Sequence, residues 1–177
     1  MYNDTVYTIV SDKIIPAYFL DMGKFKLPEE LRPERLGIEQ FQRFKDHEDE
    51  YFFAIVLETA NEIFLRACSY GESYNKYILF DKENHKGISP VNENGESKGI
   101  VNDWDGGIDF WPVGSTNDNQ VYMSVSVMNF QKALEDNKTR KMSVKYPDKQ
   151  RQLLDMVSGL DISANPILMV ITLKNDK

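Results

Sequence analysis

Cysteine is nearly absent from this chain. Cys68 is the only one in 177 residues, which excludes an intrachain disulfide and a cysteine-rich zinc site. Alternating with Ser69 in an apolar stretch, it reads as a small buried hydrophobe rather than a nucleophile. Histidine is equally scarce. His47 and His85 both lie in charged stretches, at no zinc-ligand spacing and beside no nucleophile motif. They are predicted to be surface residues. No apolar run approaches the roughly 18 residues of a membrane helix, so no transmembrane segment is expected and the chain reads as soluble. Met1-Tyr2-Asn3-Asp4 has neither a basic n-region nor an apolar h-region, so no signal peptide is expected. A basic stripe interleaved with aromatics is missing too. With a net charge of −7, nucleic acid and anionic lipid are poor partners. Gly106-Gly107 lacks the further glycines and the lysine of a phosphate-cradling loop, and no cofactor is expected.

What is present is ordinary globular material: 41% hydrophobic and 12% aromatic residues, enough for one domain with a real core. Thr5 to Val10 alternates as a strand, Ser11-Asp12-Lys13 turns, and Ile14 to Met22 returns. Pro16 removes a ladder donor, so that second strand should lie at an edge or begin after the proline. Lys24 to Glu50 reads as two short helices, opened by Pro28-Glu29-Glu30 and carrying a loose stripe of Leu31, Leu36, Phe41 and Phe44. The acidic run Asp46 to Glu50 reads as a solvated boundary. Tyr51 to Thr59, Glu62 to Tyr70 and Lys76 to Phe80 form a meander with turns at Ala60-Asn61 and Gly71 to Asn75, and such short gaps favour antiparallel neighbours. Asp81 to Gly99 reads as a polar loop with a turn at Asn94-Gly95, and Gly114 to Asn119 as another.

Val121 to Val127 alternates as a strand, and Asn129 is placed to cap a short helix through Leu134 and Asp136. Pro147 to Ser158 is a helix with Leu153, Leu154 and Val157 on one side and Gly159 as its stop. Pro166 to Leu173 is a terminal strand. The result is mainly β with about three peripheral helices. Strand groups recur at roughly 50-residue intervals without close sequence repetition, which leaves sandwich and propeller both open.

The densest stretch is Asn102-Asp103-Trp104-Asp105-Gly106-Gly107-Ile108-Asp109-Phe110-Trp111-Pro112. It holds both tryptophans, three acids and a glycine pair that permits a tight turn. Asp103, Asp105 and Asp109 are spaced faintly like a calcium loop, but Gly107 offers no side-chain ligand and no terminal glutamate follows, so whether a metal binds is left unknown. Otherwise Asn102 and the acids shape the turn by bonding their own backbone. Trp111 is expected to pack in the core. Trp104, flanked by acids, is the tryptophan expected to face solvent and meet a ligand.

This run, of the form N-D-x-D-G-G-x-x-F-W-P, resembles a hallmark of a six-bladed β-propeller family, largely lipoproteins, abundant in Bacteroidetes and mostly uncharacterised. Asp4-Thr5-Val6-Tyr7 with Pro16 to Gly23, Tyr51-Phe52-Phe53 with Glu58-Thr59, and Asn165 to Met169 resemble further segments of its pattern in order. The resemblance covers nearly all of this chain but about the C-terminal half of the family's pattern. It implies a partial β-propeller of about three blades with a few short helices in one domain spanning residues 1–177. Uncovered strand edges then imply a homo-oligomer.

On that basis the expected function is a non-enzymatic binding or scaffold module, associated with the cell envelope or periplasm. Its partner would be a protein or glycan ligand, contacted by Trp104, Asp103, Asp105 and Asp109. No catalytic residue is assigned. The alternatives are a carbohydrate-active hydrolase or lyase using acids near the motif, and a truncated gene fragment without its own activity.

Overall fold

A computed structural model describes residues 4–32, 37–71, 73–91, 99–116, 119–139 and 143–174. The fold is mainly β. A two-stranded sheet pairs β1 (Thr5–Val10) with β2 (Lys13–Phe19), and a four-stranded sheet runs β3 (Phe52–Glu58), β4 (Glu62–Ser69), β5 (Asn75–Asp81), β6 (Lys86–Ile88). A three-stranded sheet runs β7 (Gly114–Ser115), β8 (Gln120–Val125), β9 (Ile167–Thr172). The α-helices are α1 (Ile38–His47), α2 (Val127–Thr139) and α3 (Pro147–Ser158). Contacts divide the chain into two compact units, Met1–Ile55 with Arg66–Lys76 and Val56–Leu65 with Tyr77–Lys177.

In the first unit, Ser11 (φ 47°) and Asp12 (φ 64°) form the hairpin loop in the left-handed region. That twist suits a two-residue connection, and it sets the register Val10↔Lys13 and Ile9↔Ile14. Pro16 sits opposite Tyr7, and the register shifts immediately beyond it. Among the described residues β2 pairs with β1 alone, which puts the proline on an edge strand.

Among the described residues, the stretch predicted as two helices holds one α-helix, α1, preceded by 3-10 turns at Gly23–Phe25 and Glu29–Leu31. Arg32 is already extended (φ −70°, ψ 131°), because the ring of the following proline disfavours helical geometry in the residue before it. Leu36 lies outside the described residues. Phe44 is buried and meets Tyr70 edge-on at 5.7 Å, while Tyr70 meets Phe53 at 5.2 Å.

The second unit holds the larger core: Phe64, Phe110, Val121, Met123, Val125, Phe130, Leu134 and Val157. β8 supplies alternate positions, Val121, Met123 and Val125, as a half-buried strand must. Phe130 and Leu134 lie one turn apart on α2, and α3 adds Val157 with Leu153 and Leu154 packed beside it. α3 has the predicted bounds, with proline in its first turn and Gly159 after its last.

Three expectations need correction. α2 begins at Val127 rather than being capped by Asn129: the Ser126 hydroxyl accepts the Asn129 N–H at 3.3 Å, and its carbonyl accepts Phe130 N–H at 3.0 Å. Serine in that position satisfies a donor the helix leaves open. The polar stretch from Asp81 contains β6, because the Asp81 carboxylate accepts the N–H groups of Glu83 and Asn84 at 2.9 Å each and reverses the chain. Gly114 and Ser115 form β7 instead of a loop, laddered to Tyr122 and Val121. The predicted Asn94-Gly95 turn lies outside the described residues.

Candidate functional site

The turn at 102–107 is built by its own polar side chains. Asn102 donates from Nδ2 to Asp105 Oδ1 at 2.8 Å, and its Oδ1 accepts the Trp104 N–H at 3.2 Å. Asp105 Oδ1 also accepts the Gly107 N–H at 3.1 Å. Asparagine and aspartate close turns in this way because a short side chain reaches backbone two residues on. Behind the turn, Ile100 and Phe110 exchange two hydrogen bonds of 2.8 Å as an antiparallel bridge.

Contact favours glycine at both positions, and conformation also favours it at Gly106. Gly106 has φ 72°, and a β-carbon on it would lie 2.7 Å from Gln150 Nε2 and 2.8 Å from Val144 Cγ1. One on Gly107 would lie 2.9 Å from Asn102 Nδ2 and 3.3 Å from Leu153 Cδ2. The turn therefore lies directly against α3 and the segment leading into it.

That segment completes the surface. Lys145 N–H donates to the Asp103 carbonyl at 2.7 Å and Tyr146 N–H to the Trp104 carbonyl at 3.0 Å. The side chains follow the backbone: Lys145 Nζ is 2.8 Å from Asp103 Oδ2, and the Trp104 and Tyr146 rings meet at 4.1 Å between centroids, tilted by 43°. The Asp103 carboxylate, by hydrogen bond and by charge, raises the Lys145 pKa above its ordinary value. Trp104 is 53% and Tyr146 45% exposed. Two aromatic rings thus face solvent on a hydrogen-bonded frame, bordered by a carboxylate and an ammonium.

The four residues singled out from sequence are not one convergent cluster. Asp103 and Trp104 share this surface, Asp105 is bonded within the turn, and Asp109 is partly buried at the turn's far end with hydrogen-bonding or electrostatic partners of its own. Among the described residues no three His, Cys, Asp or Glu side chains are grouped to hold a metal ion. Trp111 is partly buried, 4.8 Å from the Tyr77 ring and 5.6 Å from that of Phe64. Cys68 is buried, and His47 pairs on the surface with Glu50 at 2.8 Å.

Sequence reasoning missed Lys145 and Tyr146. They lie some forty positions from Trp104, and no spacing rule links them. It also missed Asp49, read as part of a solvated run. Asp49 Oδ1 accepts the Ser69 hydroxyl at 2.9 Å and the Ser73 N–H at 3.4 Å. Ser69 is fully buried, and its oxygen accepts the Tyr74 N–H at 3.1 Å. Bonds from Ser73 and Ser69 hold the Asp49 carboxyl below the usual carboxylate pKa. This cluster ties the β4–β5 connection to the residues preceding β3.

Over residues 1–172 the chain matches a family described as a domain of unknown function, DUF4934, and it belongs to that family. A search of curated proteins returns no match. Among solved structures, the crystal structure of a "Putative exported protein" from Bacteroides fragilis NCTC 9343 is similar with a TM-score of 0.58 at 15% identity. The alignment covers 98% of this chain and 46% of that one. The likeness is one of fold, and this chain spans less than half the neighbour's length.

Proposed function

We propose that this DUF4934 chain is a single partial β-propeller domain of about three blades that works as a non-enzymatic binding or scaffold module at the cell envelope. Its ligand is a protein or a glycan, and copies of the chain associate with one another. Three separate antiparallel sheets in chain order support the partial-propeller reading. A structural neighbour described as exported supports the envelope, and among the described residues no helix is long and apolar enough to cross a membrane.

The observation that carries the binding role is the exposed Trp104–Tyr146 pair beside the Asp103–Lys145 ion pair. Aromatic rings held at a surface offer large contact area at little entropic cost, for a sugar face or for an apolar side chain. Asp105 is already bonded to Asn102 and Gly107, and Asp103 to Lys145, an arrangement suited to holding a shape rather than to moving a proton.

The test is to incubate the protein with a panel of oligosaccharides and with envelope protein extract, then recover and analyse the retained material. Retention of one ligand class, chemically unchanged, is expected. Release of shortened or unsaturated sugars would overturn the non-enzymatic reading.

A further inference from the structure

The exposed rings of the candidate site are set before any ligand arrives. Tyr146 N–H donates to the Trp104 carbonyl at 3.0 Å and Lys145 N–H to the Asp103 carbonyl at 2.7 Å, which holds the aromatic pair and the ion pair side by side. A surface fixed in this way loses little further freedom on binding. The chain around both rings is charged. Asp103 and Asp105 enclose Trp104, and Lys145 precedes Tyr146 with Asp148 and Lys149 just beyond it. Arg151 on α3, also exposed, pairs with Asp148. The cores of protein interfaces are depleted in lysine, aspartate and glutamate, so this setting disfavours an apolar protein partner.

The same setting suits hydroxyl groups. The Lys145 and Asp103 side chains stay 64% and 53% exposed while in contact with each other. An ammonium only donates and a carboxylate only accepts, whereas a hydroxyl does both. Sugar hydroxyls on adjacent carbons therefore satisfy both side chains at once, through charge-assisted hydrogen bonds. The C–H face of a pyranose is apolar, and laid on an exposed aromatic ring it removes apolar area of both from water. Charge narrows the choice further. The carboxylate is matched by the ammonium, so a cationic ligand meets no unbalanced partner there, and the net charge of −7 repels a polyanion.

We propose that the Trp104–Tyr146 surface takes a neutral glycan, one hexopyranose stacking on the Trp104 ring while its hydroxyls bridge Asp103 and Lys145. This names the ligand class for the binding role proposed above and rests on that role.

The test applies the full chain to an array of neutral, uronate-bearing and sulfated oligosaccharides together with a set of peptides. The wild type is expected to retain neutral hexose oligosaccharides in preference to every other class. Asp103→Ala/Lys145→Ala removes both hydrogen-bonding groups, keeps both rings and leaves the net charge unchanged. It is expected to weaken neutral-sugar binding by about tenfold or more, as the loss of charge-assisted hydrogen bonds does. Trp104→Ala is expected to abolish retention and Trp104→Phe, which keeps a ring, to preserve most of it. Circular dichroism and urea denaturation of each variant separate lost contact from lost fold. A preference for uronate or sulfated sugars, or for peptides whose binding falls with Trp104→Ala, would overturn the neutral-glycan assignment and leave the binding role standing. Neutral sugars held equally well by folded variants of all three kinds would overturn the assignment to this surface. A wild type that retains nothing would overturn both.

Discussion

Gly106 shows how a single residue sets the candidate site. Its backbone is left-handed and its missing side chain leaves room for Gln150 and Val144. Gly106→Ala is expected to cost about 1–3 kcal/mol, strain and overlap adding, as read by urea denaturation. Trp104→Ala forfeits the contact with Tyr146 and little buried area, so about 1 kcal/mol or less is expected in the same assay. That contrast separates a residue that builds the surface from one that presents it. Asp49 provides a pH handle. Its folded pKa is held below the ordinary carboxylate value by Ser73 and Ser69. Its contribution to stability is therefore complete above that ordinary value and is lost as pH falls through the folded one. Asp49→Asn should be less stable than wild type near neutrality and show a flatter stability profile on acidification, measured by denaturation from neutral to strongly acidic buffer. Equal slopes for the two proteins would remove Asp49 from the acid response.

At the scale of elements, what could be read in advance follows from local chemistry. The bounds of α3 were legible because Pro147 and Gly159 bracket an apolar stripe, and β8 because Val121, Met123 and Val125 alternate with polar partners. Trp111 in a packed position and Trp104 in an exposed one were legible from their neighbours. α2 was misplaced by three residues because Asn129 and Ser126 are both good caps, and the choice rests on the end of β8, which sets where the helix can start. Ser126→Ala should cost about 1 kcal/mol in thermal or chemical unfolding. Phe130→Ala, which empties a fully buried position on the same helix, should cost about 3–5 kcal/mol. The pairing of Trp104 with Tyr146 had no local signal. It depends on Gly106 and Gly107 bringing the turn against α3, a tertiary event that composition and periodicity do not encode. Asp49 was obscured in the same way, since an acidic run looks solvated until the buried Ser69 is placed beside it.

For the whole molecule, membership in the DUF4934 family and a fold shared with part of a longer chain set the frame. Within it, the mainly β class with a few helices follows from the sequence pattern. The hairpin and β9 both carry exposed aliphatic side chains. The Trp104–Tyr146 surface carries the functional reading, and one comparison tests it directly. Labelled wild type and Trp104→Ala are applied side by side to an array of oligosaccharides and peptides. The account predicts that wild type binds at least one class and that the variant's binding to it falls by about tenfold or more, the loss typical of a central aromatic anchor. An unchanged binding pattern in the variant, or a wild type that binds nothing on the array, would contradict it.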